Sequence, residues 1–239
     1  PLIATDENRS VAMEAYYTLG TNFLLSRASD QTSAPQTVLV TSAVPGEGKS
    51  MTASNWGAVL ACMGWSVLLI DADLSRPVLH RVFEVNRLKG LSAVFNNEMT
   101  IAEAIVETSI PKLKILPAGP ASPNPVVILS SVKIKELFAQ LREDYDFILI
   151  DSAPLLGLAD GMALANLADA VLLVIKAGST PSKPVEIAVR QLQQASVNLQ
   201  GVVLNNVNLS RDRYYYYHYY YYTEDDVVWG ESKRSEKVN

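Results

Sequence analysis

The residues Thr41-Ser42-Ala43-Val44-Pro45-Gly46-Glu47-Gly48-Lys49-Ser50 constrain this chain more than any other stretch. An apolar run over 37–42 leads into them, and a helix-length segment over 49–63 follows. Gly46 and Gly48 permit backbone conformations that turn successive N–H groups toward an anion, and the start of the next helix adds partial positive charge. Lys49 can reach terminal phosphates and the Ser50 hydroxyl can ligate Mg²⁺, so the segment reads as a phosphate-binding loop. Ala43 stands where glycine is usual, a mild departure. Such a loop needs a strand before it and a helix after it, which points to alternating strands and helices rather than a bundle or a sandwich.

The rest of the chain agrees. Apolar runs recur at 67–71, 113–117, 147–151, 170–175 and 201–205, and helix-length segments at 133–142 and 183–195 lie among them. Runs such as Ala170-Val-Leu-Leu-Val-Ile are apolar throughout, as strands buried on both faces must be. The predicted fold is α/β: a mostly parallel P-loop NTPase sheet flanked by helices on both faces. Residues 6–29 read as a helix ahead of the sheet, and the proline-rich stretch 118–125 as a surface loop. Residues 1–210 are expected to form one domain and 211–239 a flexible tail, which is low in complexity and has no period that would bury a face.

Two strand ends carry acid. Val67-Leu-Leu-Ile-Asp71 continues into Ala72-Asp73, and Phe147-Ile-Leu-Ile-Asp151 into Ser152-Ala153-Pro154. In an open parallel sheet, ligands bind beyond the carboxyl ends of the strands. Asp71, Asp73 and Asp151 are therefore expected on the same edge as Ser50. Three converging carboxylates need a cation, and Mg²⁺ bridging to ATP phosphates supplies it. Asn205, at the end of the last apolar run, is placed where an amide could read adenine.

Composition excludes several classes. The 239 residues carry 20 basic and 25 acidic side chains, a net charge of −5, which argues against a general nucleic-acid binder. A single cysteine, Cys62, excludes a disulfide framework and is expected to pack inside the helix after the loop. His80 and His218 are isolated and suggest no metal; Trp56 and Trp65 are expected in the core or an interface. No apolar run is long enough to span a membrane. Pro1 rather than Met stands first, so the chain reads as part of a longer one.

One feature of composition is abnormal. Of 11 tyrosines, Tyr214, Tyr215, Tyr216, Tyr217, Tyr219, Tyr220, Tyr221 and Tyr222 form one tract, interrupted only by His218. Tyr214 follows Asn205 by nine residues, a reach of roughly 30 Å when extended, so the tract can approach the predicted nucleotide edge of its own or a neighbouring chain.

These stretches resemble the bacterial tyrosine kinases that regulate capsule and exopolysaccharide assembly. The carriers are Ser42-Ala-Val-Pro-Gly-Glu-Gly-Lys-Ser50, Leu68-Leu-Ile-Asp-Ala-Asp-Leu-Ser-Arg-Pro77, Leu116-Pro-Ala-Gly119 with Pro123-Asn-Pro125, Ile148-Leu-Ile-Asp-Ser-Ala-Pro154 with Asp160, and the tyrosine tract. The fold of that family is similar to the MinD and ParA ATPases. Those relatives carry a signature lysine where this chain has Val44, which favours the kinase over a MinD/ParA-like ATPase switch without tyrosine kinase activity. A non-catalytic nucleotide-dependent docking module is disfavoured by the intact Lys49, Asp71, Asp73 and Asp151.

The resemblance implies ATP-dependent autophosphorylation of the tyrosine tract in trans. It implies catalytic roles for Lys49, Asp71, Asp73 and Asp151, with Asp71 as the acceptor of the phenol proton. Nucleotide contacts are expected from Gly46, Glu47, Gly48, Lys49, Ser50, Met51, Arg76 and Asn205, and metal ligation from Ser50, Asp73 and Asp151. Arg76 is a substitute, because Ser75 occupies the position where the family often has arginine. Implied partners are a membrane-spanning polysaccharide co-polymerase that activates the kinase, fused or separate, a protein tyrosine phosphatase, and further copies of the kinase domain. The implied location is cytoplasmic, at the inner face of the plasma membrane. A stable ring is not expected, since Tyr17 and Gly20 follow Glu14 where the family carries ring-forming arginines.

Overall fold

The computed structural model describes residues 2, 10–29, 35–122 and 124–208. The chain divides into a unit over Pro1–Asn205 and another over Asn206–Asn239. The tyrosine tract and the expected flexible tail lie outside the described residues.

The first unit is built on seven strands: β1 (Thr37–Ser42), β2 (Val67–Asp71), β3 (Val106–Glu107), β4 (Leu113–Leu116), β5 (Phe147–Asp151), β6 (Ala170–Lys176) and β7 (Leu199–Asn205). They form one sheet in the order β3-β4-β2-β5-β1-β6-β7. Every pairing is parallel except the short β3–β4 edge. The helices among the described residues are α1 (Val11–Ser29), α2 (Lys49–Cys62), α3 (Leu79–Val82), α4 (Leu91–Phe95), α5 (Ile101–Ala104), α6 (Pro125–Leu129), α7 (Val132–Asp144), α8 (Asp160–Ala165) and α9 (Ser182–Gln194). This is the predicted mostly parallel sheet flanked on both faces.

β1, β2 and β5 are buried along their whole length, which explains why their sequences are apolar without alternation. Successive residues feed opposite cores. Leu39, Ile70 and Ile150 point into a core closed by Leu137, Leu164 and Leu192 of α7, α8 and α9. Val40, Leu69 and Leu149 point into the other, closed by Phe23 of α1 and by Trp56 and Leu60 of α2. The Phe23 and Trp56 rings meet edge to face at 5.1 Å, as do Trp65 and Phe147 at 5.6 Å. At the amino edge of the sheet, Asp169 accepts the backbone N–H groups of Gln36 and Thr37 at 2.9 and 2.8 Å, and pairs with Arg142 at 2.7 Å. That brace fixes the start of β1, and hence the loop at its other end.

Several local expectations change. The β3 edge was not anticipated, because two residues are too short to show a period. The proline-rich loop ends one residue early, since Pro125 is the first residue of α6, where its missing N–H costs nothing. Cys62 does not pack: it is exposed at the end of α2. Gly20 is buried at the α1–α2 contact, where an added Cβ would lie 3.4 Å from Met63 Sδ.

Leu149→Ala, in the most enclosed part of the sheet, is expected to destabilise the protein by about 2–5 kcal/mol in denaturant unfolding. Val202→Ala on exposed β7 should stay within about 0.5 kcal/mol.

Candidate active site

The loop between β1 and α2 is held from beneath. Gly46 and Gly48 adopt left-handed backbone conformations, with φ of 85° and 93°. The side chain of Glu47 turns into the protein: Oε2 accepts the Val44 N–H at 2.8 Å, and Oε1 accepts the Thr180 hydroxyl at 2.6 Å. The Glu47 carbonyl accepts from Asn205 Nδ2 at 2.9 Å, so the end of β7 secures the loop. A Cβ on Gly48 would collide with that same amide nitrogen. Glu47 therefore presents its backbone, not its carboxylate, to the cradle. Among the described residues, the N–H groups of Gly46, Glu47 and Gly48 donate to nothing in the protein. Free amides at the head of a 14-residue helix are the groups an anion would meet there.

The three aspartates converge as the strand ends require. Asp71 and Asp151 are register partners on adjacent parallel strands, so their side chains lie on the same side, one strand spacing apart. Both are fully buried. Lys49 Nζ lies 3.1 Å from Asp73 Oδ2, 3.3 Å from Ser50 Oγ and 3.7 Å from Asp151 Oδ1. Asp71 Oδ2 accepts the N–H groups of Val78 and Leu79 at 3.1 and 3.0 Å, which seats α3 on this carboxylate. Asp73 Oδ1 accepts the Arg76 N–H at 2.9 Å, while the Arg76 side chain is exposed. Met51 sits half-buried in the first turn of α2.

The charges do not balance. Burial, then the like charge of Asp151, pushes the Asp71 carboxyl up to about 8. Burial pushes Asp151 up to about 6, with Lys49 opposing the rise. Burial disfavours the charge on Lys49, yet Asp151 and Asp73 outweigh it and hold the ammonium above its ordinary value. Asp71 Oδ1 and both oxygens of Asp151 are buried without a hydrogen-bond partner. One ammonium thus faces three carboxylates, two of them under-satisfied. Among the described residues no group of three acidic, histidine or cysteine side chains is gathered to hold a metal.

The fold brings the expected Lys49, Ser50, Asp71, Asp73 and Asp151 together. Nothing in the sequence signalled Thr180, which anchors Glu47, or the α3 backbone, which anchors Asp71. Asp160 is buried near Asp73; burial first, then Asp73, raises its pKa. The eight tyrosines lie outside the described residues.

Residues 36–201 match the AAA domain family AAA_31. Over 210 residues the chain is 37% identical to the tyrosine-protein kinase YwqD of Bacillus subtilis (strain 168), covering 88% of this chain and 87% of that protein. Among solved structures it is similar to the kinase domain of the Escherichia coli tyrosine kinase ETK, with a TM-score of 0.81 and 30% identity over 87% of this chain and 80% of that one. It is also similar to the septum site-determining protein MinD of Pyrococcus horikoshii OT3 in complex with Mg-ADP, with a TM-score of 0.62 and 26% identity over 71% and 69% of the two chains.

The raised carboxyl pKa values fix the sign of a pH dependence. The folded site holds protons that the unfolded chain releases near pH 4, so without nucleotide, stability should fall as pH rises from about 4, through Asp151 until about 6 and through Asp71 until about 8, and level off above that. The slope is up to about 1.4 kcal/mol per pH unit for each group. Urea unfolding from pH 5 to 9 should show it, and Asp71→Asn should flatten its upper half.

Proposed function

This chain belongs to the family of bacterial tyrosine-protein kinases, and from that premise we propose that it transfers the γ-phosphoryl group of ATP to the tyrosines at 214–222 of a second copy. One observation carries the reading: a phosphate cradle whose Lys49 is shared by two strand-edge aspartates, beside a third with a free buried oxygen. The match to kinases over almost the whole chain and the tyrosine tract in the same polypeptide support it.

Phosphoryl transfer is chiefly positioning and charge neutralisation. The amides of Gly46, Glu47 and Gly48 bind the phosphates, and Lys49 meets the β- and γ-oxygens. Ser50, Asp73 and Asp151 would hold Mg²⁺, which supplies further neutralisation of phosphate charge. As the γ-phosphorus–oxygen bond to ADP breaks and a bond to tyrosine Oη forms, the phenol proton passes to Asp71 Oδ1, the oxygen left without a partner. Asp71 is held still by the N–H groups of Val78 and Leu79 at the start of α3.

Residues 1–210 form the kinase domain and 211–239 the acceptor tail. Eight phosphates would add roughly −12 to −16 charge units, far more than the chain's own −5, so neighbouring tails would repel. We place the protein in capsule or exopolysaccharide synthesis, at the cytoplasmic face of the plasma membrane. A membrane-spanning co-polymerase would activate it and a tyrosine phosphatase reverse it. Among the described residues no helix is long and apolar enough to cross a membrane.

Incubation with Mg-ATP and phosphosite mapping should find label concentrated at 214–222. Lys49→Met should abolish it, and Asp71→Asn should lower the rate about 10²-fold or more. Equal labelling of the Lys49→Met protein, or ATP hydrolysis with no labelled tyrosine, would refute the reading. In sedimentation the protein should run as a monomer or small oligomer, since buried Gly20 and Tyr17 occupy the ring-forming positions; a stable octamer would contradict that.

A further inference from the structure

The segment between β2 and α4 carries a cationic ridge that the proposed chemistry does not use. Leu79 is fully buried, and Phe83 and Val85 pack against the same core. Backbone hydrogen bonds Phe83 N–H to Leu79 O and Val85 N–H to His80 O, both 3.0 Å, fix the turn. On this anchored turn Arg81 and Arg87 are exposed. They lie close enough to His80 that, after burial, their charges hold it below its ordinary pKa. Among the described residues neither arginine forms an ion pair, although exposed Glu84 lies between them in sequence. Two exposed guanidinium groups without ion pairs, both near enough to His80 to act on its charge, offer an anion-binding surface.

Its position gives it meaning. The turn begins on α3, whose first N–H groups are the ones bonded to Asp71. Arg81 follows Leu79, whose N–H meets the Asp71 carboxylate, by two residues. The tyrosine tract is followed directly by Thr223-Glu224-Asp225-Asp226, three acidic residues in a row. Glu224 is two residues from Tyr222, about 7 Å in extended chain. A clamp on this acidic run would therefore hold the nearest tyrosines within a few residues' reach of Asp71.

We propose that Arg81 and Arg87 form the docking site for the acidic run 224–226 of a second copy, and so present its tyrosine tract to the transfer site. This rests on the reading of 214–222 as acceptors. Carboxylates are the chemistry the ridge fits, because each arginine can take one in a two-pronged pair.

The test pairs full-length chains. The acceptor carries Lys49→Met; the donor has its eight tract tyrosines replaced by phenylalanine, so label reports transfer between chains only. Arg81→Glu with Arg87→Glu in the donor should lower labelling about tenfold through KM, with ATP affinity unchanged. Replacing 224–226 with lysines in the acceptor should lower it similarly toward the unmodified donor, and should restore labelling with the charge-reversed donor. Independently, binding of a fluorescent peptide of residues 211–229 to the full-length chain should weaken with the arginine reversal and recover with the lysine version. Labelling and binding indifferent to these charges, or a loss that the swap does not restore, would overturn the docking site. Charge-dependent peptide binding with no labelled tyrosine would leave the dock standing and sink the acceptor reading instead.

Discussion

One lysine stands among three strand-edge carboxylates, and most of the site follows from that imbalance. Asp71 and Asp151 are forced together by the register of β2 and β5, two fully buried strands that cannot slip by one residue without turning their apolar side chains to the wrong faces. Lys49 reaches Asp73 and Asp151 but leaves the buried oxygens of Asp151 without hydrogen bonds. Unlike charges a few ångströms apart in a partly dry pocket attract by several kcal/mol, and like charges repel by as much. These side chains alone thus carry surplus negative charge. The fold's remaining stability carries that cost, and a bound cation relieves it.

The same economy explains the loop. A cradle of free N–H groups has no internal hydrogen bonds to hold its shape, so its shape must come from outside. Glu47 supplies it from below through Val44 and Thr180, and Asn205 supplies it from the side. Both anchors draw on β6 and β7, the strands to one side of β1, while the acids come mainly from β2 and β5 on the other. Phosphate and cation chemistry therefore meet over β1, the strand whose start is pinned by Asp169.

Much of this was legible in the sequence, for physical reasons. Central parallel strands announce themselves as short apolar runs, and all six predicted runs are strands. The glycine-lysine-serine loop and the strand-end aspartates are local patterns, readable because strand ends in such sheets share one edge. What stayed hidden depends on distant partners. Nothing near Glu47 says that its carboxylate faces inward, since Thr180 lies 133 residues away. Nothing near Asn205 says that its amide meets the Glu47 carbonyl, 158 residues earlier. The seat of α3 on Asp71 is a backbone contact, invisible to side-chain patterns. Cys62 misled because its helix is apolar, yet it is the one residue of the last turn of α2 whose side chain is exposed, while Val59, Leu60 and Ala61 are buried.

A loose phosphoryl transition state asks little of its nucleophile beyond placement. That shapes how an acceptor can be chosen. A pocket moulded to one tyrosine would suit a single site, whereas eight nearly contiguous tyrosines share no distinguishing side chain except their flank. The proposed dock acts on what is common to all of them, the acidic run that follows, and through a contact tolerant of register. Charge on an anchored surface turn meets that need: it acts over several ångströms, is weakened by salt rather than by a shift of one residue, and leaves the phosphate cradle free of any part in selecting the chain.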